Sequence, residues 1–119
     1  MSCIQTLLSN LCSEVEQALK PHLQGLEGLI VSTQLPQIWN FKTEKESVIF
    51  YIDKQGNASV VSGSAPVSDV TISWKHDYLA SVLRNRSAKE IPKGEIIGYE
   101  IHTFKGQQGF NILRQQIGI

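Results

Sequence analysis

An α+β fold, with an about five-stranded and largely antiparallel sheet and helices packed on one face, is what the sequence predicts. Three observations predict it. Residues 3–20 place apolar side chains at helical spacing. Between residues 29 and 74 the apolar period falls to two, in short runs rich in β-branched and aromatic residues. After residue 74 a helical, an extended and a second helical pattern follow in turn. A chain of 119 residues holds one domain, residues 1–119, and buries roughly two-thirds of its unfolded surface.

The first helix is marked by Ile4, Leu7, Leu8, Leu11, Val15 and Leu19 on one face, with Ser13, Glu14, Glu16 and Gln17 elsewhere. Pro21 interrupts the pattern, and PHLQGLEG adds one more turn before Gly28. The strands expected next are LIVST, QIWNFKT, SVIFYID, ASVVS and DVTISW. Pro36, TEKE, KQGN and GSAPVS separate them. DKQGN reads as a tight hairpin with Gly56 at positive φ, and the set reads as an antiparallel meander. SVIFYID is apolar on both faces: Val48, Phe50 and Ile52 point one way, Ile49 and Tyr51 the other. Such a strand is covered twice or meets a partner, which makes a homodimer an expectation.

In VTISWKHDYL, residues 70–79, a half-buried strand gives way to a helix. Asp69, Thr71 and Ser73 alternate with Val70, Ile72 and Trp74. Leu79, Val82 and Leu83 then fall at helical spacing up to Asn85. Ser73 is the expected N-cap, and Asp77 sits in the first turn, where a carboxylate favours the helix dipole. His76 and Asp77 side by side also resemble an acid–base pair. Acid–base work needs a positioned second group and a pocket, and the sequence offers neither a third ligand nor a nucleophile motif nearby. Capping and solvation therefore outweigh catalysis for this pair, and His22 and His102 are scattered from it. EIIGYEIHTFKG is the next extended run, with Ile97, Tyr99 and Ile101 alternating and Gly98 marking a close approach or a bulge. QQGFNILRQQIGI closes the pattern as a short helix.

Composition excludes several functions. With 41% hydrophobic and 18% charged residues the chain is an ordinary globular one, and Lys+Arg and Asp+Glu both total 11. No broad positive field for nucleic acid is present. Cys3 and Cys12 stand on opposite sides of the first helix and show no zinc spacing, so reduced thiols in a cytoplasmic protein are expected. No segment reaches the roughly 18 apolar residues of a membrane span, and no signal-peptide pattern opens the chain. No cofactor or metal motif is found.

From residue 48 onward, VIFYIDKQGNASVVSGSAPVSDVTISWKHDYLASVL followed by GYEIHTFKGQQGFNIL resembles the sterol carrier protein-2 domain family. The order is strand, Gly turn, strand, Gly/Pro loop, Asp-Val-Thr-Ile-type strand and helix, then a closing strand–Gly–helix. It covers roughly 70 residues. The closing segment is longer and more polar than the usual one, and the link RNRSAKEIPKGE is unusual. The resemblance implies a sheet with helices on one face and, between them, an apolar tunnel for sterols, fatty acids, acyl-CoA or other lipids. It also implies a non-catalytic lipid carrier or a module appended to an enzyme, sometimes serving mainly in dimer contacts, so the domain itself is not expected to be an enzyme.

The expected tunnel lining is Phe41, Val48, Phe50, Ile52, Leu79, Val82, Leu83, Phe110, Leu113 and Ile117. A solid core built from the same residues is the competing reading, and with it a closed-core dimerisation or protein-interaction module without ligand. The last helix, carrying Gly109 and Gly118, is the expected lid; Arg114 is read first as a solvated arginine on an exposed face, with contact to a lipid headgroup as the alternative. Arg84, Arg86, Lys89 and Lys93, with Glu90 among them, read as a solvated loop, with transient contact to an anionic membrane surface as the alternative.

Overall fold

The structure is a computed structural model, and it describes residues 4–25, 28, 33–85 and 96–117. Helix α1 spans Ile4–Leu19 and continues into a 3-10 turn, Lys20–Leu23, where Pro21 occupies an opening position that needs no N–H. Ile4, Leu8, Leu11, Val15 and Leu19 are its buried stripe, as the spacing predicts. The strands are β1 (Gln37–Lys42), β2 (Ser47–Ile52), β3 (Ala58–Ser62), β4 (Val70–Trp74) and β5 (Ile96–Ile101). Helix α2 is His76–Asn85 and helix α3 is Phe104–Ile117. The strand expected at LIVST falls outside the described residues, apart from Thr33, which lies in a turn.

The sheet order is β3-β2-β1-β4-β5. The antiparallel meander holds for β1, β2 and β3, but β4 returns beside β1 and runs parallel to it. The segment between β3 and β4 makes this possible by crossing the sheet face opposite the described helices. Asn40 grips it there: its Nδ2 donates to Ala65 O at 3.0 Å and its Oδ1 accepts from Ala65 N at 2.9 Å. The two turns of the meander are local constructions. Thr43 N donates to Glu46 O at 2.8 Å in the first. In the second, Asp53 Oδ1 accepts from Gln55 N and Asn57 N, both at 2.9 Å, and Gly56 takes φ +84 as expected. At the other edge, β5 carries the expected irregularity. Ser73 pairs with Gly98 and Trp74 with Ile96, which leaves residue 97 as the extra one beside Gly98 at φ +153.

Pairing register puts Trp39 and Phe41 of β1, Val48, Phe50 and Ile52 of β2, and Val70, Ile72 and Trp74 of β4 on one face, all buried. The buried stripes of the three described helices join them in a single cluster. Aromatic rings run through it: Phe110 lies 5.9 Å from Trp39, Trp39 lies 6.2 Å from Phe41, and Phe41 meets Phe50 edge-on at 6.4 Å. α1 covers the β3 side and is tied to it by Glu16, whose Oε1 accepts from Ala58 N at 2.8 Å. Ile49 and Tyr51 lie half-buried on the opposite face, beside Val61, which is 54% exposed.

Asp69 departs from its expected place on the polar face of a strand. It precedes β4 and is 3% exposed. Its Oδ2 accepts from Ile38 N at 2.9 Å and its Oδ1 from Thr103 Oγ1 at 2.7 Å, with Lys105 Nζ 3.7 Å away. Its own N–H donates to Ile38 O at 2.7 Å, and its carbonyl accepts from His102 N at 2.8 Å. One residue thus joins β1, the end of β5 and the start of α3. Asp69→Ala should lower the unfolding free energy by about 2–4 kcal/mol, because it takes the acceptor from the part-buried Ile38 N–H and Thr103 hydroxyl. Urea titration of both forms measures it.

Candidate functional site

Three features of the fold bear on function: the helix-covered face of the sheet, the start of α3, and a polar groove on the opposite face.

The covered face contains the expected lining residues. Phe41, Phe50, Ile52 and Leu79 are fully buried, and Val48, Val82, Leu83, Phe110 and Leu113 are between 1% and 6% exposed. All nine belong to one cluster, while the side chain of Ile117 lies outside the described residues. Trp39, Val70, Ile72 and Trp74 share the face and were not among the candidates. Trp39 had a signal in the sequence, since it stands two residues before Phe41 on the same strand face.

The start of α3 is anchored. The extended run expected to reach Gly106 ends at Ile101, and the helix begins at Phe104. Thr103 is the cause: its Oγ1 accepts from Gly106 N at 2.9 Å, the geometry of an N-cap. Gln37, 1% exposed, then donates from Nε2 to Lys105 O and to Gln34 O, both at 2.6 Å, while its Oε1 accepts from Trp39 Nε1 at 2.9 Å. Lys105 Nζ donates to Pro36 O at 2.8 Å. The helix comes this close because two positions lack a Cβ. One added at Gly106 would stand 2.4 Å from Asp69 O, and one at Gly109 would stand 2.6 Å from the Gln37 side chain. Gly109 therefore serves close approach and not the loosening expected of a lid. Arg114 lies in the part of α3 whose side chains are not described.

At the sheet's other end the expected cap is replaced. Ser73 lies inside β4, and His76 N donates instead to Glu44 Oε1 at 2.7 Å. Glu46, from the same β1–β2 turn, accepts from Gln5 N in the first turn of α1 at 3.2 Å. The TEKE turn thus supplies one carboxylate to each of two helix N-termini. His76 is 6% exposed and not solvated: its Nδ1 lies 3.4 Å from Thr43 Oγ1 and 3.5 Å from Glu46 Oε2. Asp77 does face water, with Lys45 at 3.7 Å. The His76–Asp77 pair therefore does not converge on a cleft. The hydrogen bond from His76 N is the chief cause holding the Glu44 carboxyl below its usual range, with the turn's own Glu44 N–H next. Burial, then the Glu16 charge, pushes the Cys12 thiol up and keeps it protonated. Of the basic run, Arg84 is exposed at the end of α2, and Arg86, Lys89 and Lys93 lie outside the described residues.

The groove lies across β1, β4 and β5 on the face opposite the described helices and has a volume of about 440 Å³. Thr71 and Ser73 form its floor, the Asn40-gripped segment with Pro66 and Val67 one wall, and Glu100 and His102 the other. Ser68 Oγ, Thr71 Oγ1 and His102 Nε2 form a hydrogen-bonded chain with steps of 3.1 and 3.0 Å. Glu100 Oε2 is 3.8 Å from that same Nε2. A nucleophile–base–carboxylate relay needs the two partners on different ring nitrogens, so this arrangement is not one. Sequence alternation marked these residues only as the polar halves of their strands. Among the described residues no group of three or more His, Cys, Asp or Glu could hold a metal ion, and no helix is long and apolar enough to cross a membrane.

The architecture is thus an α+β sheet with one helix-covered apolar face, and it is the fold of sterol carrier protein-2 domains. UbiJ-SCP2, a ubiquinone synthesis protein, aligns at a TM-score of 0.51 and 17% identity over 97% of this chain and 94% of its own. The sterol carrier protein domain 2 of Helicoverpa armigera aligns at 0.51 and 16% identity over 93% of this chain and 87% of its own. Sterol carrier protein 2 like 2 of Aedes aegypti aligns at 0.50 and 12% identity over 92% and 99%. The chain also spans 13% of the length of the sec-alkyl sulfatase PisA1, at a TM-score of 0.47 and 17% identity over 65% of this chain. No family model and no curated protein matches the sequence.

A folded-state carboxyl held below its unfolded value stabilises above the unfolded pKa and loses that contribution as pH falls through the folded one. Glu44→Gln should therefore be less stable than the parent at neutral pH, and the gap should close as pH drops below the usual 4.5. Urea midpoints taken from neutral to strongly acid pH test the sign.

Proposed function

We propose that this protein binds an apolar ligand, a fatty acid, acyl chain or sterol-like lipid, between the helix-covered face of the sheet and its helices. It acts inside the cell as a carrier with no reacting group of its own. The observation that carries this reading is the sterol carrier protein-2 fold over 97% of the chain. A neighbour named as a ubiquinone synthesis protein brings isoprenoid quinones into the same ligand class.

The residues proposed to meet the ligand are Phe41, Val48, Phe50, Ile52, Leu79, Val82, Leu83, Phe110, Leu113 and Ile117. The described ones are closely packed, so ligand entry separates side chains that now touch. Each methylene moved from water into that interface contributes about 0.8 kcal/mol, and this offsets the packing lost. The anchored start of α3 favours opening farther along the helix, at Phe110, Leu113 and Ile117. Chain-length selectivity is weak, because one methylene discriminates little in an apolar site.

Organic extraction of the purified protein should yield a co-purified lipid by mass spectrometry, and the delipidated protein should take up a fluorescent fatty acid. Phe110→Ala should cost about 3–4 kcal/mol of stability without ligand, and added fatty acid should restore part of its lost melting temperature. A clean extract together with no uptake by either form would reject the carrier and leave a closed interaction module.

A further inference from the structure

The groove on the face opposite the described helices is independent of the apolar interface, and its polar groups fall into two sets. Asn40, Ser68 and Thr71 are occupied with each other, with the crossing segment and with His102. Lys42 and Ser73 are not. They are register partners on β1 and β4, they line the groove, and neither side chain has a hydrogen-bond or ion-pair partner among the described residues. An ammonium and a hydroxyl side by side both donate, which suits a carboxylate or another singly anionic group. Across the floor stands Glu100, 74% exposed, an acceptor whose partner is His102 at 3.8 Å. It suits an ammonium, and it repels a polyanion such as nucleic acid.

Geometry sets the spacing. Lys42 lies in the row of Ser73 and Gly98, and Glu100 in the row of Thr71. Strands sit about 4.8 Å apart and the two-residue offset adds about 6.7 Å along them, so the two charged side chains rise from β1 and β5 roughly 12 Å apart on the diagonal and lean over a floor one strand wide. Pro66 and Val67, the latter 76% exposed, give the groove an apolar wall.

We propose that this groove is a binding site for a small zwitterion whose anionic and cationic groups are separated by a short body, as in a free dipeptide. The anionic end takes Lys42 and Ser73, the ammonium takes Glu100, and the body lies against Pro66 and Val67.

The probe is L-alanyl-L-alanine added to the full chain and followed by amide-resolved NMR at millimolar concentration. Shifts should cluster at Lys42, Ser73 and Glu100. N-acetylation or C-terminal amidation of the peptide should each weaken binding by about tenfold or more, as expected for a lost charge-assisted contact. Lys42→Met should abolish the preference for the free carboxylate, and Glu100→Gln the preference for the free amine. Both side chains are exposed, and the blocked peptides test the unaltered protein should either variant fold poorly. Absence of groove shifts, or equal response to free and doubly blocked peptide, overturns the proposal.

Discussion

The carboxylate of Asp69 is the constraint on which the arrangement of sheet and last helix depends. A buried carboxylate is costly unless its lone pairs are filled. Here backbone and side-chain donors from β1 and the start of α3 fill them, and a lysine stands by. Because those donors are far apart in sequence, satisfying one residue fixes three elements relative to one another. The parallel β1–β4 pair is held at its start, the end of β5 is tied through His102 N, and α3 is oriented by its own N-cap. Gln37 repeats the logic one layer inward, joining α3 to β1 and to the indole of Trp39.

The opposite end of the sheet uses a different device. α2 and α1 start near the same β1–β2 turn, and Glu44 and Glu46 of that turn each accept from one of them. Two helix dipoles thus converge on a short acidic turn, with His76 buried beneath it. The two ends leave different parts of the covered face free to respond. The front of α3 and the starts of α1 and α2 are held by polar contacts. Phe110 and Leu113, farther along α3, belong to the apolar cluster, whose contacts are non-directional.

What the sequence disclosed follows the range of the interactions involved. The 53–57 hairpin, the stripe of α1 and the apolar face of α2 were legible because turn chemistry and periodicity are local. The sterol-carrier pattern was legible for the same reason, as an ordered string of local elements. The parallel return of β4 was not, since it rests on Asn40 meeting Ala65 and Asp69 meeting Ile38 across long stretches of chain. The α2 cap was misplaced to Ser73 because a cap was sought next to the helix, whereas Glu44 is 32 residues away. Gly109 was read as looseness because a glycine's need for close approach shows only when its neighbour, Gln37, is in place. Of the candidate site, the buried apolar face of the sheet was visible by alternation. The groove was not, because alternation says which residues face away from a core and nothing about which of them are left without partners.

The Glu16–Ala58 bond has a consequence beyond holding α1 to the sheet. β3 is an outer strand, uncharged and rich in valine, the kind of ribbon that recruits like ribbons into fibrils. Gly63 N and Asp53 N pair across to Ser47 O and Asn57 O, so antiparallel alternation points the amides of Ala58, Val60 and Ser62 outward. Glu16 occupies the first of these with a negative charge. An incoming strand would have to displace that carboxylate before it could begin to zip along the border, so the helix that completes the core also guards the molecule against polymerisation.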